Sequence, residues 1–600
     1  MTIRYAVRPA DPGAHLFHVT VTVDRPDPQG QRFALPAWNP GSYMIREFAR
    51  HIGRLTALSA GRKLRVEKLD KHTWRCARTQ DEVTLAYEVY AFDLSVRAAY
   101  LDTDQALFNG AALFVAPIGR EGEDCRVDIF PPGGTRARQW QLVTGLAAAR
   151  GTRTGGFGTY RARDYEELID CPVLMGRLVQ RRFDVLGTPH EIAVSGPVAR
   201  LDLARVAADL SRLCEAQVRL FEPRTRRAPF DRYSFLTLAV DEGYGGLEHR
   251  NSSALICRRD DLPHTGMKES TEGYRRFLGL ASHEYFHAWN VKRIRPKAFV
   301  PYDLSRENYT RLLWAFEGFT SYYDDLMLAR TGLLTQAQYL DRVGRTMSIV
   351  MQRSGRLKQS LAESSFDAWI KYYRQDENAP NSVVSYYQKG ALVGLALDLA
   401  IRNDSRGRRS LDDVMRWLWR RYCSSGPDYR GVDEDEIEAA LAQATGLDLT
   451  RSVRAWTEGT RDPDFAALLA TVGIKLQRAL ALESPHFALL GLTMQAVAGE
   501  CRVAQVFDGG PAQQAGLSAG DVLVALDELR VTPARLDALL ARYAPGDTIQ
   551  ALAFRREALQ RFELRLSRQP PPRFVLEVDE RASAALKRAR AGWCGERRGS

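Results

Sequence analysis

Residues 271–291 read TEGYRRFLGLASHEYFHAWNV, and His283-Glu284-Tyr285-Phe286-His287 within them is an HExxH pentad. The stretch contains no proline, and its apolar residues recur at three- and four-residue steps, which predicts an amphipathic helix. Residues four apart lie on one face of a helix, so His283 and His287 can reach one metal ion with Glu284 beside it. A purely structural helix would instead bury Glu284 without a partner. The pentad therefore predicts a zinc site.

Two histidines do not complete a tetrahedral zinc site, which needs a third protein ligand and an open position for water. The extended pattern HExxHxxGxxH is absent, because Asn290 and Arg293 occupy the positions of its glycine and third histidine. Glu317 is the predicted third ligand, since it is a lone acid in the apolar, helix-compatible stretch 312–323, LLWAFEGFTSYY.

Three further acids bear on this site. Asp303 and Glu307 are alternatives to Glu317, although they lie in a more polar stretch. Asp324 follows Glu317 by about two helical turns, which places both on one helical face. From there Asp324 is predicted to accept a hydrogen bond from a ligand histidine; the alternative is a solvated surface acid.

Five segments together carry a family resemblance. They are ALPAWNPGSYMIREFARHI (34–52), GGLEHRNS (245–252), HEYFHAWNVKRIRP (283–296), LLWAFEGFTSYY (312–323) and SYYQKGALVG (385–394). In this order they resemble the glycyl aminopeptidase family of zinc metallopeptidases, a PDZ-containing branch of the gluzincins. The resemblance implies one Zn²⁺ per chain and a multidomain α+β fold.

The predicted architecture is an N-terminal β-sandwich, a thermolysin-like zinc peptidase domain with a helical lobe, and a C-terminal PDZ domain. We expect these domains at residues 1–168, 169–465 and 466–570, followed by a basic, flexible tail at 571–600. Period-two alternation in segments such as 18–23 and 82–90 supports the β assignment of the first domain. Residues 233–240 are a predicted strand of the second domain, and 333–354 and 384–402 are predicted helical segments.

The resemblance also implies roles for residues outside the pentad. Gly245, Gly246 and Glu248 correspond to an edge strand that lines the cleft, with Glu248 holding the substrate's α-ammonium group. Tyr387 corresponds to the tyrosine that stabilises the developing oxyanion, and Tyr386 is the alternative. The competing structural interpretation is a flexible turn at Gly245 and Gly246, with Glu248 exposed.

The N-terminal domain contains one turn-rich loop, Trp38-Asn39-Pro40-Gly41-Ser42-Tyr43, which is characteristic of the resembled family. Arg46 and Asn109 are candidates to approach the cleft from this domain. For both, a structural role is the favoured interpretation.

Residues 503–523 resemble a PDZ domain of the bacterial protease type. Residues 489–492, LLGL, would then form the loop that binds a peptide C-terminus added as an extra strand. The other interpretation is a PDZ domain that only packs against the catalytic part.

The predicted function is removal of N-terminal residues from peptides, with Glu284 as the general base of metal-assisted hydrolysis. A preference for a small first residue, glycine or alanine, is implied by the resemblance alone. The alternatives are an endopeptidase that tethers C-termini through its PDZ domain and a non-catalytic peptide-binding scaffold.

Composition excludes several other classes. The net charge of +11 arises from 84 basic and 73 acidic residues that are mostly interspersed, and no nucleic-acid motif accompanies them. We therefore expect no nucleic-acid partner. The N-terminus has no apolar h-region and the chain has no run of about 20 apolar residues, which predicts a cytoplasmic protein without a membrane partner. Eight cysteines without CxxC spacing predict free thiols.

Overall fold

The computed structural model describes residues 2–134, 139–423, 429–480, 484–568 and 571–595. The chain forms two compact units. The first consists of Met1–Tyr309, Tyr323–Leu334 and Met415–Asp433, and the second of Thr310–Tyr322, Thr335–Val414 and Glu434–Ser600.

The first unit contains 21 strands in its described residues. They are β1 (Thr2–Asp11), β2 (Leu16–Val23), β3 (Arg32–Ala34), β4 (Ile52–Ser59), β5 (Arg62–Leu64), β6 (Val66–Lys68), β7 (Thr73–Cys76), β8 (Val83–Tyr90), β9 (Ala99–Leu101), β10 (Gln105–Phe108), β11 (Ala116–Pro117), β12 (Asp124–Ile129), β13 (Gln141–Thr144), β14 (Ala147–Ala148), β15 (Gly158–Ala162), β16 (Val173–Gly176), β17 (Val179–Val185), β18 (Thr188–Ser195), β19 (Tyr233–Val240), β20 (Gly245–Glu248) and β21 (Ser252–Arg258).

The second unit contains the remaining described strands. They are β22 (Ile474–Leu480), β23 (Leu492–Val497), β24 (Glu500–Val506), β25 (Val522–Leu526), β26 (Leu529–Arg530), β27 (Thr548–Arg555), β28 (Ala558–Arg565) and β29 (Pro572–Val578).

The α-helices are distributed over both units. They are α1 (Gly110–Leu113), α2 (Tyr165–Ile169), α3 (Leu203–Phe221), α4 (Glu272–Phe286), α5 (Leu313–Arg330), α6 (Gln336–Gln352), α7 (Leu361–Phe366), α8 (Ala379–Ser382), α9 (Gln388–Asp404), α10 (Leu411–Tyr422), α11 (Glu436–Thr445), α12 (Thr450–Thr457), α13 (Phe465–Ala470), α14 (Pro511–Ala515), α15 (Leu536–Leu540) and α16 (Ala584–Cys594).

The N-terminal part is built on an eight-stranded sheet in the order β14-β15-β12-β1-β2-β8-β4-β5. Strands from the same part of the sequence form a separate four-stranded sheet in the order β11-β3-β7-β6. All neighbours in the large sheet are antiparallel except β1 and β12. Buried and more exposed residues alternate along β8, as a strand with one face on a core requires. The predicted β-rich N-terminal domain is confirmed.

A five-stranded sheet later in the first unit has the order β17-β18-β19-β21-β20. Its three central strands are parallel, and β17 and β20 are antiparallel edge strands. β19 is buried along its whole length, which is typical of a central strand covered on both faces. β20, which contains Gly245, Gly246 and Glu248, is therefore at the edge that the sequence predicted.

The second unit combines helices with a PDZ sheet of order β23-β24-β25-β27-β28, with β26 paired to β25. This sheet spans 492–565, which is narrower than the predicted domain 466–570. The first part of the predicted domain lies outside this sheet, because β22 pairs with β29 and not with a PDZ strand. The helix α13, at 465–470, precedes β22.

The predicted flexible tail at 571–600 needs correction. Residues 572–578 form β29 and residues 584–594 form α16. Phe574, Leu576 and Trp593 are buried, so apolar burial holds this segment in place. The basic residue Arg590 is also buried and donates to the carbonyl of Gly473 at 3.1 Å. Residues 596–600 lie outside the described part.

In the described residues, no helix combines the length and the apolar character needed to cross a membrane. All eight cysteines are free thiols, and only Cys423 is exposed. The cytoplasmic location stays a prediction.

Candidate active site

The helix α4 begins where the sequence predicted. Thr271 is its N-cap, and the Thr271 hydroxyl accepts a hydrogen bond from the backbone N–H of Tyr274. Apolar residues on one face are buried, and the helix ends at Phe286 with His287 as its C-cap. His283 and His287 lie one turn apart, and their Nε2 atoms are separated by 3.0 Å.

The Nδ1 atoms of both histidines have acceptors. His283 Nδ1 lies 3.2 Å from the Asp324 carboxylate, and His287 Nδ1 lies 2.7 Å from the carbonyl of Asn290. Carbonyl and carboxylate oxygens only accept, so each Nδ1 donates its proton and each Nε2 carries a lone pair. The hydrogen bond from His283 to Asp324 is the contact that the sequence analysis expected.

The two Nε2 atoms fit neighbouring ligand positions of a zinc ion. Two lone pairs that face each other at 3.0 Å cannot bond, whereas a cation between them resolves the conflict. With Zn–N distances of about 2.0–2.1 Å, tetrahedral ligands lie roughly 3.3 Å apart. The histidine pair therefore has the spacing and the tautomers that a zinc site needs.

Glu317, the predicted third ligand, lies on α5 and is 1% exposed. It precedes Asp324 by about two turns of this helix. In the second unit, α5 is packed closely against α9, because a Cβ atom on Gly318 would lie 2.6 Å from the backbone of Gly390. The role of Glu317 as a ligand stays a prediction, as do the alternatives Asp303 and Glu307.

The edge strand β20 brings a second acid to the pentad. Glu248 is 4% exposed, and ligand atoms of Glu248, Glu284 and His287 all lie within 4.8 Å of one another. Gly246 is on the same face of β20 as Glu248, because side chains alternate along a strand. A Cβ atom on Gly246 would overlap the Glu284 carboxylate. Glycine therefore permits the strand to approach the pentad this closely.

A buried network of charges fixes the chain that follows Glu248. The Lys292 ammonium donates to Asp170 at 2.6 Å, and both side chains are buried. Asp170 also accepts from the backbone N–H of Arg250 at 3.0 Å and lies 3.3 Å from His249 Nδ1. Asp170 thus holds both residues that come directly after Glu248.

The charges in this network set its pKa values. Burial alone would raise the pKa of Asp170, but Lys292, with His249 and Arg250, holds it well below its ordinary value. Burial alone would lower the pKa of Lys292, but Asp170, with a smaller contribution from Glu248, raises it. Both groups are therefore charged at neutral pH.

The two candidate tyrosines of the second unit differ in exposure. Tyr387 is the partly exposed N-cap residue of α9, and its hydroxyl lies 3.2 Å from that of Tyr373. Tyr386 is fully buried, and its hydroxyl makes no hydrogen bond within the described residues. Burial raises the pKa of Tyr386 well above its ordinary value, with smaller contributions from Tyr373 and Glu317.

The structure gives Arg46 and Asn109 structural contacts in the N-terminal domain. The Arg46 guanidinium donates to the hydroxyl of Ser42 at 2.7 Å, and the Asn109 amide donates to the carbonyl of Val96 at 2.6 Å.

Comparisons with known proteins identify the family. A crystal structure of an aminopeptidase N family protein from Idiomarina loihiensis is 39% identical to this chain, with a TM-score of 0.93. The match covers 99% of this chain and 100% of that protein. The family model described as M61 glycyl aminopeptidase matches residues 276–393. The chain belongs to the M61 glycyl aminopeptidase family.

As an M61 family member, the chain is a zinc metallopeptidase. The models for the peptidase M61 N-terminal domain and for a PDZ domain match residues 4–177 and 488–566. An M1 zinc metallopeptidase from Deinococcus radiodurans is 13% identical over 77% of this chain and 94% of its own, with a TM-score of 0.48. No curated protein sequence matches the chain at a significant level.

Sequence reasoning missed Asp170, Lys292 and the closeness of Gly41 to Glu248, where a Cβ atom on Gly41 would lie 2.5 Å from the Glu248 carboxylate. Lys292 was visible in the motif HEYFHAWNVKRIRP, but a motif does not show whether a lysine is buried. Asp170 lies in a part of the chain far from the pentad in sequence. The Asn-Pro-Gly-Ser order at 39–42 was the available signal for Gly41, since it is typical of a type II turn.

Proposed function

We propose that this M61 peptidase is an aminopeptidase that removes a small N-terminal residue, glycine or alanine, from peptides with a free N-terminus. The observation that supports this most strongly is the position of Glu248, which is buried beside Glu284 and His287. A carboxylate there binds the α-ammonium group of a substrate and directs attack to the first peptide bond.

We propose His283, His287 and Glu317 as the ligands of one zinc ion. The facing Nε2 atoms of the histidines support the first two ligands. Glu317 is supported by its burial on the helix whose Asp324 accepts the hydrogen bond from His283. Zinc, when bound, polarises the scissile carbonyl and lowers the pKa of coordinated water.

The remaining chemistry is assigned to side chains of this chain. Glu284 accepts the proton of the attacking water and later transfers it to the leaving amine. Tyr387 donates a hydrogen bond to the oxyanion that develops on the carbonyl oxygen. Its partial exposure favours it over the fully buried Tyr386. Gly245 and Gly246 belong to strand β20, along which the substrate backbone lies.

The preference for a small first residue is supported by the family to which the chain belongs. A peptide C-terminus is proposed as the ligand of the PDZ domain at Leu489–Leu492. Its support is β23, which begins at Leu492 and lies at one edge of the PDZ sheet in the described residues. The same edge is the observation that favours the second candidate, an endopeptidase that tethers substrates by their C-termini.

The test is hydrolysis of glycyl-, alanyl- and leucyl-p-nitroanilide, each with a free and an acetylated amine. Wild type, Glu284→Gln and Glu248→Gln are compared at matched zinc content. We expect wild type to cleave only free-amine substrates, glycyl and alanyl best, and Glu284→Gln to be inactive. Glu248→Gln should mainly raise KM. Equal cleavage of internal bonds in acetylated peptides would favour the endopeptidase, and a zinc-loaded protein without peptidase activity would refute both.

A further inference from the structure

The N-terminal domain places a tight turn against Glu248. In residues 39–42 the backbone N–H of Ser42 donates to the carbonyl of Asn39 at 2.9 Å, and Gly41 at the third position has a φ of +95°. Proline second and glycine third with positive φ is the arrangement of a type II turn. The conformation therefore favours glycine at position 41 even before its surroundings are considered.

This turn is held by contacts on both sides. The indole N–H of Trp38 donates to the carbonyl of Asp303 at 2.9 Å, and the ring of Tyr43 stacks on Phe299 with a centroid distance of 5.7 Å. All four residues belong to the first compact unit, as Glu248 does. The backbone of the turn is thus fixed relative to β20.

The contact between Gly41 and Glu248 leaves no space for a side chain. A Cβ atom on Gly41 would lie 2.5 Å from both carboxylate oxygens of Glu248. This is shorter than any ordinary contact between a carbon and an oxygen that are not bonded. Glu248 is buried, and its Oε1 atom makes no hydrogen bond within the described residues. Packing against Gly41 is therefore one of the contacts that fix the carboxylate.

We infer that Gly41 is a positioning residue for substrate recognition. Because Gly41 has no side chain, the Glu248 carboxylate occupies the space that a Cβ atom would fill and stays beside Glu284 and His287. A carboxylate held there binds the ammonium group of a free N-terminus, which an acylated N-terminus does not carry. This inference rests on the proposed role of Glu248 and adds that a turn of the N-terminal domain positions the group that recognises the free N-terminus.

The test compares Gly41→Ala with a matched control, Gly119→Ala. Gly119 has a φ of +85° in a turn closed by the N–H of Arg120 and the carbonyl of Pro117, and a Cβ atom there would meet nothing within 4 Å. The two variants therefore share the backbone strain, but only Gly41→Ala displaces Glu248.

For Gly41→Ala we expect KM for glycyl-p-nitroanilide to rise by about tenfold or more, since small misplacements of a binding group are costly. The kcat value should change little, and the preference for free over acetylated substrate should fall. Gly119→Ala should keep the wild-type KM and preference. Equal effects of the two variants, or a loss of kcat alone, would overturn the inference.

Two double variants separate positioning from general damage. Gly41→Ala should add nothing to KM in a Glu248→Ala background, because the group it displaces is absent. If Gly41→Ala unfolds, Glu248→Asp in the same chain should restore the thermal midpoint, because the shorter acid relieves the overlap. Failure of both double variants to behave in this way would overturn the inference.

A crystal structure of Gly41→Ala gives a readout that does not need activity. We expect a displaced Glu248 carboxylate, and an unmoved carboxylate would refute the inference. If wild type cleaved no free-amine substrate, the proposed function would fail, while this structural comparison would still decide whether Gly41 positions Glu248.

Discussion

The Lys292 ammonium donates a hydrogen bond to the Asp170 carboxylate at 2.6 Å, with side-chain exposures of 3% and 8%. Because Asp170 also holds the two residues that follow Glu248, this ion pair links the segment after the HExxH helix to the end of the edge strand. A buried pair of this kind is sensitive to the loss of one partner, since the other charge is then left in a poorly solvated position.

Lys292→Met should therefore be strongly destabilising. Removing one partner of a buried ion pair costs about 3–5 kcal/mol of unfolding free energy. The matched control is Lys297→Met, because Lys297 forms a pair with Asp433 in which the side chains are 59% and 50% exposed. Exposed pairs contribute about 0–1 kcal/mol. Thermal and urea unfolding of both variants measure the difference, and equal stabilities would contradict the buried-pair argument.

Gly246→Ala should reduce turnover. The added methyl group would overlap the Glu284 carboxylate and push the general base from its position. A displacement of about 1 Å costs roughly 100-fold in rate. Gly53→Ala is the control, since Gly53 is also in a strand, β4, and a Cβ atom there would meet nothing within 4 Å. Steady-state kinetics should show a large loss of kcat for Gly246→Ala and near wild-type kcat for Gly53→Ala.

Asp324→Ala should weaken metal binding. Asp324 accepts the Nδ1 proton of His283 and so fixes the tautomer with its lone pair on Nε2. Loss of such an outer hydrogen bond costs about 10–100-fold in metal affinity. Asp341→Ala, whose side chain is 40% exposed and pairs with Arg345, is the control. Zinc retention against a competing chelator measures the effect. Unchanged retention in Asp324→Ala would show that Asp324 does not support a metal ligand.

Local periodicity explains why much of the site was predictable. The helix of the HExxH pentad and the Asp324 contact follow from the spacing of residues on helices. The contacts of Asp170 with Lys292, and of Gly41 with Glu248, join segments that are distant in sequence. Their existence depends on how the sheet and the N-terminal domain pack, which residue spacing does not encode.

The C-terminal segment, which was expected to be flexible, also depends on contacts between distant parts of the sequence. Its prolines and basic residues favoured a flexible segment. Strand β29, however, pairs with β22, and this pairing buries Phe574 and Leu576. Composition indicates whether a segment can be solvated, but a distant strand partner decides whether it is.

The free energy of unfolding should fall as the pH drops from about 6.5 to about 4, between the pKa values of His190 in the unfolded and folded chain. Burial lowers the pKa of His190 to about 4, and its Nε2 atom accepts from the Tyr285 hydroxyl at 2.9 Å. The unfolded chain binds the proton near pH 6.5, whereas the folded chain resists protonation until about pH 4. The contribution of neutral His190 to the free energy of unfolding is therefore complete above pH 6.5 and decreases as the pH falls toward 4. The free energy of unfolding lost over this interval is about 3 kcal/mol.

His190→Gln should remove this part of the pH dependence, with His18→Gln, an exposed histidine on β2, as the control. Urea unfolding at pH 7 and pH 4.5 measures it. If the stability difference between the two pH values were the same in His190→Gln and wild type, the buried neutral imidazole would not be its source.

Asp508 anchors the PDZ domain to helical segments of the same unit. Its carboxylate accepts from the hydroxyl of Ser354 at 2.6 Å and from the Lys358 ammonium, and its backbone N–H donates to the Asn381 side chain at 2.9 Å. Hydrogen bonds from Lys358 and Ser354 lower the pKa of Asp508, which indicates that these contacts favour its charged form.

Asn381→Ala should loosen α8, which contains Asn381 and lies a few residues before Tyr387. The Asn381 side chain accepts from the backbone N–H of Asp508 and donates to the carbonyl of Val506 at 2.8 Å, so the substitution removes both of these contacts of α8 with the PDZ domain. We expect faster amide hydrogen exchange in residues 379–387, because the opening free energy of a segment falls when its tertiary contacts are removed. The control is Asp527→Ala, whose carboxylate accepts from Tyr543 and from the backbone of Gln550 within the PDZ domain. Equal exchange in residues 379–387 for both variants would show that the PDZ domain does not stabilise the segment that leads to the proposed oxyanion donor.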